Sequence, residues 1–379
     1  GSASRRPRGM IPPSMYVLSW AALSLVGALL ATGLVARVRV ALFIALRWLV
    51  RSADGAPLSA QRARRQRFLA AVGPRYGYTH SAAGHVDGWR ATEFPGLLQP
   101  MGRPSPPDAV VYLDYAGAAL PTASQVQAIS MSAQAVLANP HSAGPAAEAS
   151  ANAERDARAA VLAHFCGDSA AQWAVIWTSG ATGALRLAAE TFPFGGRSRL
   201  AFPRSVHTSV LGMRGPAASG GAESICLVDA EPQTIRALLA SEASGEARGD
   251  DASAGGCEHL LVLPAECNLT GERLDCRGVG AEMRRARQAR SGAAVNVAAD
   301  RWWLMLDAAK AAASGAVDLR ACGAALCAVS FYKAFGEPTG LGALLVRRDM
   351  LRVLRRRCGH YYGGGSVAAV VAGSDFHSP

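Results

Sequence analysis

The sequence predicts an α/β protein with a mainly parallel sheet covered by helices on both faces. Two observations carry this. Short apolar runs of strand length alternate with helical stretches over about 240 residues, the pattern of strand–helix–strand crossovers. The chain has 379 residues and 50% hydrophobic content, enough to bury one large domain or two smaller ones, and no internal repeat interrupts the alternation.

Taken in order, the chain opens on a leader, residues 1–55. Met15 to Ala36 is 22 residues without a charge, about 33 Å as a helix, enough to cross a bilayer core of about 30 Å. Arg5, Arg6 and Arg8 precede it, and Arg37, Arg39, Arg47 and Arg51 follow. The heavier arginine flank after the run orients a transmembrane anchor with the catalytic domain on the cytosolic side. A cleaved secretory signal and an organellar transit peptide, the latter delivering the domain to an organelle, stay open as rivals. Residues 56–107 form a lead-in, helical and arginine-rich from Ala60 to Ala70, then proline-rich from Gly102 to Asp108. The large domain is expected over 108–366. Its first strand is Val110 to Gly117, followed by an amphipathic helix at Ser124 to Ala138 and a second helix at Ala146 to Phe165. Ala174 to Thr182 reads as strand and small-residue turn, with a helix beginning at about Thr182. Further strands are expected at Arg199–Pro203, Ser224–Asp229, His259–Pro264, Trp302–Asp307 and Gly342–Val346, with another that starts at Leu326 and ends at Lys333. Ser241–Gly256 and Arg284–Ala299 read as surface insertions. Residues 367–379 begin a further, small domain.

Charge and cysteine usage exclude two classes. The net charge of +11 suggests nucleic acid, but residues 1–67 hold 11 arginines against one acid, Asp54, leaving about +1 for the rest. No basic stripe with interleaved aromatics remains, so no nucleic-acid partner is expected. The eight cysteines show no CxxC pair and no histidine cluster, which excludes a metal site. They read as small hydrophobes in a reducing compartment.

The chemistry centres on one lysine. Of 39 basic residues, 37 are arginine; the two lysines are Lys310 and Lys333. Lys333 stands at the end of an apolar strand, where the chain runs into a glycine-bounded turn. A guanidinium can replace an ammonium in a surface ion pair, but it cannot form a Schiff base. Pyridoxal phosphate needs such a lysine, a carboxylate for its ring nitrogen and a cradle for its phosphate. Asp307 ends the apolar run Trp302-Trp-Leu-Met-Leu-Asp and is the candidate carboxylate, though an aspartate there also suits a helix cap. The helix start at about Thr182 offers free N–H groups, with Ser and Thr hydroxyls, for a dianion. His207 and Asn268, taken alone, are commonplace residues just past strand ends.

Assembled, the motifs resemble a known family. YLDYAGAAL, NPHS, TSGATGALRLAAETFPF, HTSVLGMR, PAECNLTG, LDAAK, SFYKAFGEPTGLGALLVRRD and YYGGGS occur in the order seen in eukaryotic molybdenum cofactor sulfurases. The likeness is to their amino-terminal cysteine-desulfurase-like domain, a class V member of the fold-type-I pyridoxal phosphate enzymes, and runs from about Tyr76 to Phe376. It implies a mainly parallel seven-stranded sheet. It also implies that Lys333 holds the cofactor covalently, Asp307 pairs with the ring nitrogen and His207 stacks on the ring and transfers protons. Ala181, Thr182 and Ser330 would hold the phosphate, Asn268 would approach the ring hydroxyl, and Gly365 and Ser366 would reach the partner's phosphate in a homodimer. No metal is implied. L-cysteine would be the substrate and alanine a product, with the molybdenum cofactor or its carrier receiving the sulfur. Two departures stand out. Lys310 takes a place where many relatives have glutamine. The family's persulfide cysteine and its substrate-carboxylate arginine lie further along than Pro379, and Cys358, after Arg355–Arg357, is not assigned the cysteine's role. The expectation is therefore cofactor binding without completed sulfur transfer. A desulfurase serving another acceptor, and a tethered protein that keeps the fold without turnover, remain as alternatives.

Overall fold

The structure is a computed structural model that describes residues 63–64, 66–68, 70–71, 88–97, 112–135, 138–241, 257–291, 301–315, 317–354, 369–370, 372–373 and 377–378. The leader run 15–36, the segment 102–108, Cys358, Gly365 and Ser366 lie outside them. Among the described residues no helix is long and apolar enough to cross a membrane. The chain divides into two compact units, 1–86 and 87–379. In the first, the described residues between 63 and 71 are helical and exposed, as their arginine content implies.

The second unit carries a seven-stranded sheet. Its strands are β1 (Trp173–Thr178), β2 (Arg199–Pro203), β3 (Glu223–Leu227), β4 (Glu258–Pro264), β5 (Arg301–Asp307), β6 (Leu326–Ser330) and β7 (Gly342–Arg347). Their spatial order is β1-β7-β6-β5-β4-β2-β3. From β3 to β6 every pairing is parallel. β7 runs antiparallel to both β6 and β1, so the sheet is mixed and not wholly parallel. The reason is local: β6 returns through a short connection into β7, too short for the crossover that a parallel neighbour requires. A small two-stranded pairing of β8 (Ala369–Val370) with β9 (His377–Ser378) follows.

Both faces of the sheet are buried. Along β4, Leu261 and Leu263 enter one core and Leu260 and Val262 the other; β5 repeats this with Leu304 and Leu306 against Trp303 and Met305. Each fully buried Leu or Met contributes about 1.5–3 kcal/mol of apolar burial. On one face packs α3 (Gly180–Thr191), whose Ala181, Ala184, Leu185, Ala188 and Ala189 make one stripe at helical spacing. On the other pack α2 (Pro145–Cys166) through Phe165, α6 (Pro232–Ser241) through Ile235, Leu238 and Leu239, and α7 (Cys276–Ser291) through Val279 and Met283. Glu282 of α7 takes a two-pronged hydrogen bond from Arg236 of α6, at 3.0 and 2.8 Å.

Several boundaries differ from the sequence reading. Residues 112–117 form an irregular segment and a turn, not a strand, because Gly117 and Ala118 donate back to the Asp114 carbonyl. α1 (Ala123–Gln134) is capped by Thr122, whose side chain accepts from the Gln125 N–H, but it buries no residue: Val126 is 45% and Met131 65% exposed. α7 continues to Ser291, so half of the expected insertion 284–299 is helix. The cysteines also differ. Cys166, Cys267 and Cys327 are buried thiols, as small hydrophobes would be, but Cys276 and Cys322 form a disulfide joining the start of α7 to the end of α9 (Leu319–Cys322).

Candidate active site

Four segments supply the floor of one cavity. β4, β5 and β6 run parallel, so Pro264, Asp307 and Ser330 end at the same edge of the sheet. α3 begins beside them, after β1. The cavity at this edge has a volume of about 490 Å³. Lys333, Asp307, His207, Ala181, Thr182, Asn268 and Ser330 all line it, so every described site candidate from the sequence converges there.

Lys333 lies not at the end of β6 but three residues on, in a single helical turn, α10 (Phe331–Phe335). Gly336 closes that turn at φ +83, a conformation open to glycine; a Cβ there would come within 2.4 Å of the Pro121 nitrogen. The segment 114–121 is thus laid directly over α10, fastened by the Ala119 N–H donating to the Tyr332 carbonyl at 3.2 Å. It brings Asp114 and Gly117 into the cavity.

The cradle is assembled from α3 and β6. Helix α3 starts at Gly180, two residues earlier than the sequence suggested, where φ is +73 and Tyr332, the Gly340 carbonyl and Ser330 crowd the position of a Cβ. Ala181 N–H donates to Ser330 Oγ at 2.9 Å, which leaves the Ser330 hydroxyl proton free to be donated. The helix start supplies partial positive charge. Thr182 Oγ1 lies 2.8 Å from Ser209 Oγ. Ser209 Oγ is 3.0 Å from His207 Nδ1, and the Ser209 N–H donates to that same nitrogen at 3.1 Å. A backbone N–H can only donate, so Nδ1 is the acceptor and the neutral imidazole carries its proton on Nε2.

Asp307 is 8% exposed. Its Oδ1 accepts from the Ala309 N–H at 3.1 Å, so it caps the turn after β5 and lines the cavity at once. Burial pushes its carboxyl up from the usual range, opposed by that hydrogen bond and the charge of Lys333. Glu266 is the second buried acid, also 8% exposed. Its Oε2 accepts from Arg273 Nε at 3.1 Å and Ser314 Oγ at 2.7 Å, and Lys310 Nζ lies 3.2 Å from Oε1. Burial raises this carboxyl, but the bonds from Ser314 and Lys310, with the charges of Lys310 and Arg273, outweigh it and hold it below the usual range. Cys267, between Glu266 and Asn268, faces away, its Sγ 3.6 Å from the Ser205 carbonyl.

The sequence reading missed Asp114, Ser209, Glu266 and Tyr332 as lining residues. The motif around Asp114 was visible. A buried acid satisfied by residues 7, 44 and 48 positions away has no local signature.

Residues 293–377 match the aminotransferase class-V family. Over 325 residues the chain is 34% identical to molybdenum cofactor sulfurase of Solanum lycopersicum, covering 82% of this chain and 38% of that protein. The chain is a homologue of the molybdenum cofactor sulfurases. To the Homo sapiens protein of that name the homologue is 33% identical, over 81% of its length and 32% of the human protein. It thus spans about a third of the curated relatives it matches. The apo cysteine desulfurase of Thermococcus onnurineus NA1 superposes at a TM-score of 0.56 with 16% identity, covering 76% of the homologue and 62% of that chain. That likeness places the sheet and its helices in the fold-type-I, cysteine-desulfurase-like α/β class.

Proposed function

We propose that the chain binds pyridoxal 5'-phosphate and mobilises sulfur from L-cysteine, with alanine released and the sulfur destined for the molybdenum cofactor or its carrier. The observation that supports this most is the convergence of a lysine, a buried carboxylate and a helix-start cradle on one cavity. The residues present fit the cofactor. Gly180 opens the cradle where a Cβ would meet Tyr332 at 3.2 Å, and Ser330 and Thr182 hold hydroxyls beside the first N–H groups of α3. Asp307 is held at the sheet edge with one backbone hydrogen bond on Oδ1. The same reading takes a homodimer in which Gly365 and Ser366 serve the partner's site, and membrane attachment through residues 15–36.

When bound, pyridoxal phosphate supplies an electron sink for breaking bonds at the carbons of an amino acid. The chain's own residues do the rest. Lys333, in the cavity, would hold the cofactor covalently. Asp307, at the end of β5, would pair its carboxylate with the protonated ring nitrogen. His207, its tautomer fixed through Nδ1, holds or moves a proton at Nε2. Segment 114–121 and Tyr332 cover the cavity and limit its water.

The test is spectroscopic. Purified chain incubated with pyridoxal phosphate is expected to develop a visible absorbance band, and borohydride should fix the label to the Lys333 peptide. Retention of that band in Lys333→Arg would overturn the assignment.

A further inference from the structure

The edge of the sheet opposite the cavity carries a cluster of arginines that takes no part in the site. β5 begins there at Arg301, and β7, which runs the other way, ends there at Arg347. After β4 the chain returns through α7 to start β5, so the last turns of α7 reach the same edge with Arg287. Ala324 and Ala325, just before β6, are small and buried, and the Arg347 side chain reaches past them. Its Nη1 donates to the Ala324 carbonyl at 3.0 Å, and its Cζ stands 5.8 Å from the centre of the Trp303 ring. The Arg301 Cζ stands 5.2 Å from that same ring, which is 2% exposed and so lies in the core beneath both. The neighbouring carboxylates are engaged. Asp349 takes a two-pronged hydrogen bond from Arg347 at 2.7 and 2.9 Å. Glu258, opposite Arg301 in the register, accepts from the Trp303 indole N–H. Arg287 and Arg301 are exposed, and among the described residues their side chains make no hydrogen bond or ion pair. Although exposed, Arg287 is partly withdrawn from water. That loss and the charge of Arg347 push its guanidinium below its usual value; Asp349 opposes this and Arg301 adds to it.

Three guanidiniums thus face two carboxylates, and two of the three keep their N–H forks free. Like charges held together by separate elements of a fold repel unless an anion stands among them. We propose that Arg287, Arg301 and Arg347 form a binding site for a phosphate dianion, free or as a small monoester, at the sheet edge opposite the cavity. It does not rest on the cofactor reading. The donors decide the chemistry of the ligand. A guanidinium fork addresses a pair of oxygens. Forks arriving from a helix and from a strand suit a tetrahedral group, which offers oxygen pairs in several planes, better than a carboxylate, which offers one. Arg347, whose fork is taken by Asp349, contributes charge and holds the floor of the site over Trp303. A nucleic-acid strand does not suit it, because the buried indole gives no face on which a base could stack. A bound phosphate would tie α7 to β5 and β7 and stabilise the fold by as much as it binds.

Phosphate also suits the cradle at α3, so the experiment separates the two places. The full chain is titrated by calorimetry with inorganic phosphate and with glycerol phosphate. The proteins are native, Arg287→Gln, Arg301→Gln, the double variant, and Thr182→Val, which alters the cradle alone. Each single variant should bind phosphate at the edge about tenfold more weakly, the loss expected of one charge-assisted donor. The double variant should lose that site, and Thr182→Val should keep it. Hydrogen exchange gives the location: phosphate should protect peptides that contain Arg287 and Arg301 in native protein and not in the double variant. Affinity should fall below about pH 6, where phosphate takes up its second proton and the arginines stay charged. Tighter binding of glycerol phosphate identifies an ester and tighter binding of inorganic phosphate the free ion; both support the site. Folding of the variants is checked in the same samples by melting, where phosphate should raise the native transition more than that of the double variant. Unchanged affinity and protection in the double variant overturn the inference, and so does acetate binding as tightly as phosphate. Binding that only Thr182→Val weakens overturns it too, since the anion then sits in the cradle and the edge arginines only cover Trp303.

Discussion

Asp307 shows what a site residue costs the fold that carries it. Its carboxyl is buried without a cation in hydrogen-bond contact, and its folded proton affinity is raised. The folded chain binds that proton more tightly than the unfolded chain does, so stability falls as pH rises from about 3.9, the ordinary aspartate value, toward the raised one. Without cofactor, Asp307→Asn should melt higher than native protein at pH 7, by about 2–4 °C for each kcal/mol relieved. The gap should shrink as pH falls through that window, while cofactor binding is lost. Differential scanning calorimetry at pH 4 and pH 7 checks this; a native protein more stable than Asp307→Asn at both values would show that the carboxylate is structurally satisfied. At this scale the sequence made Lys333 and Asp307 legible, because a rare residue type and a strand-end acid are local facts. Glu266 and Ser209 were not legible, because what makes them matter is the company they keep across separate strand ends.

The turn from β6 into β7 is the element on which the site depends. Gly342, the first residue of β7, stands where a Cβ would lie 2.4 Å from the Val329 carbonyl oxygen and 2.5 Å from the Gly180 Cα. Both are backbone atoms, so neither can swing aside. Gly342→Ala should therefore cost about 1–3 kcal/mol or more and shift the start of α3 away from Ser330. Urea unfolding gives the first effect. Weakened binding of pyridoxal phosphate, with Lys333 untouched, gives the second; unchanged affinity would mean that the cradle does not need that approach. Strand positions were readable from the sequence because β4, β5 and β6 are short apolar runs bounded by polar or small residues. The direction of β7 was not, since an apolar run reads the same whichever way its neighbour points. α1 misled for a related reason: spacing reports a face, not whether anything packs on it.

At the scale of the whole molecule, two long-range closures hold the sheet. One is covalent. The Cys276–Cys322 bridge closes a loop over a separation of 46 residues, and a cross-link of that span is worth about 2–4 kcal/mol. Cys276→Ser should lower the melting temperature in the absence of reductant and leave it unchanged when dithiothreitol is present. Equal melting of both proteins without reductant would show that the two thiols stay unjoined. The other closure is the pairing of β1 with β7, in which Trp173 meets Arg347 and Thr178 meets Gly342. The strand that leads into the cradle thus finds its only neighbour in the sheet near the far end of the described core. During synthesis β1 and α3 emerge early and must wait until about 170 residues more have been made. A nascent chain halted before Gly342 has Asp307, Lys333 and the β6 part of the seat of α3, but lacks the part that β7 supplies. Capture of the cofactor therefore waits on β7, and the alanine stripe of α3 is what a chaperone would have to guard until then.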